Sequence, residues 1–259
     1  MTFFDAAAYE RFMGRWSRRL APLLIDFAEV ADGDRVLDVG SGTGNLALEL
    51  SARRRVDVVG IDPSTAFVEH ARTRAAGGRI RFDIGDAQAL PYEDASFDAC
   101  LALLVINHIP DPRRVVSEMR RVTRPGGRVA AAVWDYGEGM TMLRAFWDAA
   151  GALDPSAASH HEGHMPYCRK GELSVLWTET GLQGVEETAL NLPMEFPSFD
   201  DYWAPFLGGQ GPGGSYVAGL STDRREALRE RVRREVGVED PARPITLQAR
   251  AWAVRGSTP

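Results

Sequence analysis

The sequence predicts an α/β fold built on a parallel sheet, and three observations carry that expectation. From residue 35 to residue 135 short apolar runs alternate with segments at helical spacing. A glycine loop, Gly40-Ser41-Gly42-Thr43-Gly44, separates the first apolar run from the first of those helices. Asp38, Asp62 and Asp86 are 24 residues apart (62 − 38 and 86 − 62), each at or just past the end of an apolar run. Strands alternating with helices at this length argue for βαβ units with both sheet faces covered. In such a sheet the strand ends share one edge, where open α/β folds bind ligands, so the three carboxylates would line one crevice.

The elements follow in order. RVLDVG (35–40) is a strand ended by glycine, and NLALELSARR (45–54) is helical. VDVVGID (56–62) is a second strand, followed by the helix PSTAFVEHARTRAA (63–76). IRFDIGDA (80–87) and FDACLALLVI (97–106) are further strands, and PRRVVSEMRRVT (112–123) is an arginine-rich helix. RPGG (124–127) is a break before the strand RVAAAVWD (128–135). Beyond this point the rhythm changes. Residues 140–153 and 171–182 read as helices, the second ending at glycine, and 184–196 alternate like a strand. Residues 196–220 are aromatic, then glycine-rich at GGQGPGG (208–214). A highly charged helix at 222–237 presents a solvated face, and ITLQARAWAVRG (245–256) closes the chain as a strand.

Composition narrows the function classes. The 259 residues are 44% hydrophobic, enough for one sizeable core with an elaborated cap. A net charge of −6 argues against a nucleic-acid footprint. Lys170 is the only lysine, which reads as coding bias. Two cysteines, Cys100 and Cys168, supply neither a disulfide framework nor a metal-ligand spacing. Residues 101–106 are far too short an apolar run to span a bilayer, and the start of the chain carries Asp5 and Glu10 without an apolar signal segment. The expectation is a cytoplasmic protein, a monomer or homodimer, without a nucleic-acid partner or a membrane span.

The glycine loop leaves two cofactors open. A dinucleotide fingerprint needs glycine at position 45, where this chain has Asn45. Asp38, at the end of the first strand, would repel a pyrophosphate and attract an ammonium group. S-adenosylmethionine (SAM) carries an ammonium, a sulfonium and a ribose, and no phosphate. Asp62 is placed for a ribose diol, a role NAD would use equally. An NAD(P)-dependent oxidoreductase and a non-catalytic SAM-binding module are therefore the alternatives.

VLDVGSGTGN, GIDPSTAFVEHAR, GDAQALPYEDASFDAC, LLVINHIPDP and RRVTRPGGRV together resemble the successive motifs of class I SAM-dependent methyltransferases. The likeness is strongest to the small-molecule group typified by ubiquinone and menaquinone biosynthesis methyltransferases, of the methyltransferase type 11 kind. It covers residues 35–135 tightly and the later segments only in pattern.

The resemblance implies a Rossmann-like, seven-stranded sheet with an antiparallel last strand, here residues 245–254, and helices on both faces. It implies SAM as cofactor, S-adenosylhomocysteine as product, and a small-molecule acceptor methylated on O, N or C. Gly40 and Gly42, with Ser41 and Gly44 in the same loop, would pass under the cofactor, and Asp38 would hold its ammonium. Asp62 would take the ribose hydroxyls, with Pro63 beside the adenine and Phe67 against its face. Asp86 would accept from the adenine amino group, the Ala87 N–H would meet a ring nitrogen, and Leu103 would offer its carbonyl to the methionine moiety. Tyr9, on a helix resembling the one that closes over SAM, could reach cofactor or substrate, and Arg15 or Arg18 could pair with a carboxylate.

Methyl transfer from a sulfonium is an in-line displacement of an already activated group, so alignment and exclusion of water do most of the work. His108, just after the fourth strand, is the candidate base, with a positioning role as its alternative. Asn107 is a lesser polar contact. HHEGH (160–164) fails the H-E-x-x-H metal spacing and reads as a polar loop. Trp134, Phe146, Trp147, Tyr167, Phe199, Tyr202, Trp203 and Phe206 would supply core and an apolar or aromatic acceptor pocket, closed by a mobile GGQGPGG lid. The expected organisation is a single methyltransferase domain over 1–259. Within it, 1–30 form N-terminal capping helices and 31–135 the SAM-binding core. Residues 136–170 and 197–240 are cap and substrate insertions, and 171–196 and 241–259 complete the core.

Overall fold

The computed structural model describes residues 6–75 and 79–259. Asp5 and Ala76, used above for charge and as a helix end, lie outside the described residues. The chain opens with α1 (Ala6–Tyr9), a π-type turn (Glu10–Gly14) and α2 (Arg15–Phe27). Then come β1 (Arg35–Val39), α3 (Asn45–Arg53), β2 (Asp57–Asp62), α4 (Thr65–Arg74) and β3 (Ile80–Ile84). β4 (Phe97–Leu103), a 3₁₀ turn (Ile106–His108), α5 (Pro112–Val122) and β5 (Thr123–Trp134) follow. The remainder is α6 (Thr141–Leu153), α7 (Glu172–Glu179), β6 (Gln183–Phe196), α8 (Phe199–Trp203), α9 (Gly211–Ala218), α10 (Thr222–Glu235) and β7 (Ile245–Ser257).

The strands form one seven-stranded sheet in the order β3-β2-β1-β4-β5-β7-β6. β1 to β5 pair in parallel. β7 runs against β5: Gly126 and Gly127 bond Thr258, just past the end of β7, whereas Asp135, just past the end of β5, bonds Arg250, earlier in β7. The expected antiparallel last strand is therefore present, inserted between β5 and β6. Burial explains the apolar runs: Val36, Leu37 and Val39 of β1 and Ala99 to Ala102 of β4 are covered on both faces.

Helix starts follow local chemistry. Ser64 Oγ accepts from Phe67 N–H (3.4 Å) at α4, and Asp111 accepts from Arg114 N–H (3.0 Å) at α5, where Pro112 occupies the first turn. The break expected at RPGG is absorbed into β5. Phe97 pairs with Thr123 but Ala99 with Arg128, so the extra residues bulge from the ladder. Gly126 takes φ 71° there, and its N–H donates to Thr258 O at 3.0 Å.

Two compact units share the chain. One comprises Gly14–Val133, Pro166–Leu190 and Ala251–Pro259; the other comprises Met1–Met13, Trp134–Met165 and Asn191–Arg250. The first carries the glycine loop and β1 to β4. In the second, the rings of Phe146 and Phe206 stack at 4.4 Å, Phe12 meets Phe206 edge-on at 5.5 Å, and Tyr202 Oη donates to Met142 O at 2.7 Å. Trp134, Phe146, Trp147, Phe199, Tyr202, Trp203 and Phe206 are all buried and pack as core, with an edge of Trp203 lining a surface pocket beside Asp200 and Leu207. Tyr167, in the first unit, is half-buried and lines a separate pocket with Arg113 and Lys170. The glycine-rich stretch also departs from the expected lid: 211–218 are helical, with Gly213 and Gly214 buried. A Cβ on Gly213 would stand 3.2 Å from Phe206, and one on Gly214 would stand 2.8 Å from the Gly209 backbone. These glycines make room for rings and backbone. On α10 only Leu228 and Val232 are buried, and pairs such as Arg233–Glu230 occupy the solvated face.

Gly60 in β2 positions the site most directly. A Cβ there would lie 2.5 Å from the Phe82 ring and 2.9 Å from Ser41 Cβ, so the strand must be bare where the glycine loop rests on it. Gly60→Ala is expected to lower the unfolding free energy by about 1–3 kcal/mol, the usual cost of overpacking, as measured by urea denaturation.

Candidate active site

Strand register explains the even spacing of the three aspartates. Arg35 pairs with Asp57 and Val58 with Ile80, an offset of 22 residues at each step (57 − 35 and 80 − 58). Carboxylates 24 residues apart therefore stand two residues farther out on each successive strand. Asp38 pairs with Gly60 inside the sheet, Asp62 is the last residue of β2, and Asp86 lies past the end of β3.

The glycine loop curls over the ends of β1 and β2. The N–H groups of Gly40 and Ser41 both donate to Ile61 O, at 2.8 and 2.9 Å. Gly40 has φ 69°, and a Cβ there would overlap the side chain of Val105 at 2.4 Å. Gly42, at φ 52°, faces open space, which leaves its backbone accessible to a ligand. A Cβ on Gly44 would meet Phe82 at 2.9 Å and Ala71 at 3.1 Å. Asn45 follows, and its amide is a tether: it donates to Ser17 Oγ (2.7 Å) and Gly14 O (3.3 Å) and accepts from Arg74 (2.9 Å). Arg74 also donates to Thr43 O at 2.7 Å.

Two carboxylates face this loop in different states. Asp62 has a backbone partner on each oxygen: Gly42 N–H donates to Oδ2 (2.9 Å) and Ser64 N–H to Oδ1 (2.8 Å). Burial raises its pKa and those two N–H groups lower it. Each oxygen retains a lone pair for a hydroxyl donor. Asp38 is buried with less support. Ala47 N–H, in the first turn of α3, donates to Oδ2 at 3.1 Å. Oδ1 has no partner among the described residues, and neither has the buried Ser41 hydroxyl. Burial, only partly offset by Ala47 and reinforced by the charge of Asp62, pushes Asp38 up to about 7. A cation at this oxygen would satisfy the orphaned acceptor and hold the carboxylate ionised, whereas a phosphate would meet repulsion.

The other expected site residues are distributed as follows. Pro63 is exposed and Phe67 is buried on α4. Asp86 is exposed and caps its own turn, accepting from Gln88 N–H at 2.8 Å, and Ala87 beside it is buried. Leu103 ends β4, and Leu104 after it takes φ 61°, the left-handed region, with its N–H donating to Ala132 O at 2.8 Å. Asn107 is buried and His108 half-buried on the 3₁₀ turn, where burial lowers the imidazole to about 4. Arg15 stacks over Trp16 at 4.5 Å, and Arg18 is exposed on α2. Tyr9 belongs to α1, in the unit that holds the aromatic core. In that same unit the HHEGH stretch is more than a polar loop. Its Glu162 is buried and accepts from Trp147 Nε1 at 2.6 Å.

Sequence reasoning did not find Val105, Leu104 or Arg74. Val105 fills the space that Gly40 leaves, Leu104 makes the left-handed turn after β4, and Arg74 ties the loop to α4. Nothing local marks them, because each matters through a neighbour distant in sequence.

Residues 37–131 match the family described as Methyltransferase domain. The YcgJ protein of Bacillus subtilis shares the fold, with a TM-score of 0.61 and 23% identity over 93% of this chain and 98% of that one. An uncharacterized methyltransferase of Mycobacterium sp. (strain KMS) is 32% identical over 211 residues, 78% of this chain and 81% of its own length. This chain belongs to the class I SAM-dependent methyltransferases. A second relative of this methyltransferase, the 27-O-demethylrifamycin SV methyltransferase of Amycolatopsis mediterranei (strain S699), is 40% identical over 130 residues. That alignment spans 49% of this chain but only 46% of the relative.

The raised Asp38 pKa has a stability signature in the ligand-free methyltransferase. The unfolded carboxyl ionises near ~4 and the folded one near 7, so its contribution is complete below pH ~4 and is lost as pH rises to 7. Urea denaturation across pH 5–8 is expected to show this decline in wild type and a flatter curve for Asp38→Asn. Parallel curves would remove Asp38 as its source.

Proposed function

We propose that this methyltransferase binds SAM along the ends of β1 to β4 and passes its methyl group to a small-molecule acceptor. The observation that carries the reading is the buried Asp38 carboxylate with one oxygen unsatisfied beside a glycine loop. That site suits the α-ammonium of a phosphate-free cofactor.

Asp38 would hold the ammonium, Gly40, Ser41, Gly42 and Gly44 would pass beneath the cofactor, and Asp62 would bind the ribose diol. Pro63 and Phe67 would flank the adenine, Asp86 and the Ala87 N–H would read its edge, and the Leu103 carbonyl would meet the methionine moiety. The sulfonium supplies an activated methyl group when SAM is bound, so the protein's contribution is mainly alignment and exclusion of water. His108, neutral at pH 7, would accept a hydrogen bond from the acceptor or orient it. A base of pKa near 4 takes a full proton less readily than one matched to neutral pH. A hydroxyl-bearing acceptor is the first class to test, because the Amycolatopsis relative is named for a 27-O-demethylated substrate.

We further read the chain as one methyltransferase domain with its elaborations at 136–170 and 197–240. No helix among the described residues is long and apolar enough to cross a membrane.

Calorimetry with SAM, S-adenosylhomocysteine and NAD(P) tests the cofactor. SAM and its product should bind and the dinucleotides should not; tight NAD(P)H binding without SAM would overturn the reading. Asp62→Ala should weaken SAM by roughly 1.5–3 kcal/mol, the scale of hydrogen bonds to a charged group. In steady-state kinetics His108→Ala should slow turnover about tenfold or more while SAM affinity stays within about twofold. Wild-type turnover in that variant would dismiss His108.

A further inference from the structure

The loop at residues 85–96, between β3 and β4, has no helix or strand of its own and carries Asp86 and Ala87. One face of α5 holds it. Arg114, Glu118 and Arg121 recur at the spacing of successive helical turns, and all three bond this loop. Arg114 Nε donates to Gln88 O at 3.0 Å. Glu118, buried, accepts from Leu90 N–H at 2.9 Å, and Arg121 Nη2 donates to Leu90 O at 3.0 Å. Glu118 and Arg121 are themselves joined by two bonds of 2.9 and 2.8 Å. The ion pair thus serves both backbone groups of Leu90, as a neighbouring strand would. Arg121 Nη1 reaches on to Tyr92 O and Asp94, both at 2.8 Å, and Ala95 N–H donates to Arg121 O at 3.0 Å. At the loop's start Gly85 N–H donates to Asp62 O at 3.2 Å.

An ion pair that only stabilised the fold could sit anywhere on α5. This one spends its donors and acceptors on the backbone of the segment that follows Asp86 and Ala87. The four residues from Asp86 to Ala89 form a single turn, closed by Ala89 N–H to Asp86 O at 3.1 Å. Leu90, next in the chain, is the anchored end of that turn.

We infer that Glu118 and Arg121 are positioning residues for adenine recognition: they fix the turn at Asp86–Ala87 and thereby set selectivity for the cofactor's base. The inference rests on the proposed SAM site. Neither residue would touch the cofactor; both act through the Leu90 backbone.

The test compares binding of S-adenosylhomocysteine with that of S-inosylhomocysteine, in which a carbonyl replaces the adenine amino group. Calorimetry on the full chain covers wild type, Glu118→Gln and Arg121→Lys. Wild type should prefer the adenosyl ligand by about 10-fold or more, as sites built around a hydrogen bond do. Both variants should lose at least about fivefold of that preference, through weaker adenosyl binding, with kcat at saturating SAM within about twofold. A purely structural role would lower the melting temperature and leave the preference intact; an unchanged preference in folded variants overturns the inference. Arg121→Lys keeps a positive charge on Glu118 but cannot span the Leu90 and Tyr92 carbonyls together, so it decides the matter if Glu118→Gln does not fold. Wild type that binds neither ligand overturns the cofactor reading, and this inference falls with it. Wild-type binding with unaltered variant preference overturns the clamp alone.

Discussion

A carboxylate is buried at the end of β1 with one oxygen on the first turn of α3 and the other unsatisfied, and the arrangement around it follows from that burden. Asp38 cannot retreat, because β1 is paired on both sides, with Gly60 in β2 and Leu101 in β4. The helix N-terminus supplies one donor and its partial positive charge, which moderates the burial penalty without cancelling it. Polarity of this kind, in a well-packed interior, is suited to a ligand that brings its own cation.

The glycine loop keeps its shape by contacts made from outside it. Ile61 O receives two loop N–H groups, Gly60 leaves room for Ser41, and Val105 occupies the place of a Gly40 side chain. Asn45 then ties the start of α3 to α2 and α4 through Ser17, Gly14 and Arg74. In a dinucleotide fingerprint this position would be glycine, for close helix–strand packing. Here the same position carries a three-way hydrogen-bond junction, so the departure from glycine has a structural purpose. The α5 face that holds residues 85–96 extends the same logic to the far end of the crevice.

Several readings changed once side chains had neighbours. Composition suggested an open glycine-rich stretch at 208–214, but burial against Phe146 and Phe206 turns part of it into helix. Glycine in a sequence signals either freedom or close approach, and only the facing atoms distinguish them. RPGG looked like the end of an element, yet a bulge pinned by Thr258 lets β5 run through it. The aromatic residues were marked as core or pocket together; ring stacking at 4.4 Å and burial make Phe146 and Phe206 core, whereas Trp203 and Tyr167 each also line a pocket. Glu162 is a related case, since nothing in HHEGH marks it as the buried partner of Trp147.

The sequence by itself determined the alternation of strands and helices, the parallel order that follows from it, the glycine loop and the even spacing of Asp38, Asp62 and Asp86. These are local or periodic signals: strand length, helical spacing and turn residues constrain the backbone wherever they occur. Tertiary structure alone decided which carboxylate has a partner on both oxygens and which has one oxygen unsatisfied, that Val105 and Arg74 shape the loop, and that Leu90 is held by an ion pair on α5. The loop contacts of Val105 and Arg74 and the hold on Leu90 join groups tens of residues apart, and the carboxylates' partners are set by how the loop and α3 fold back on the strand ends, which pairing register and packing create and no local pattern encodes.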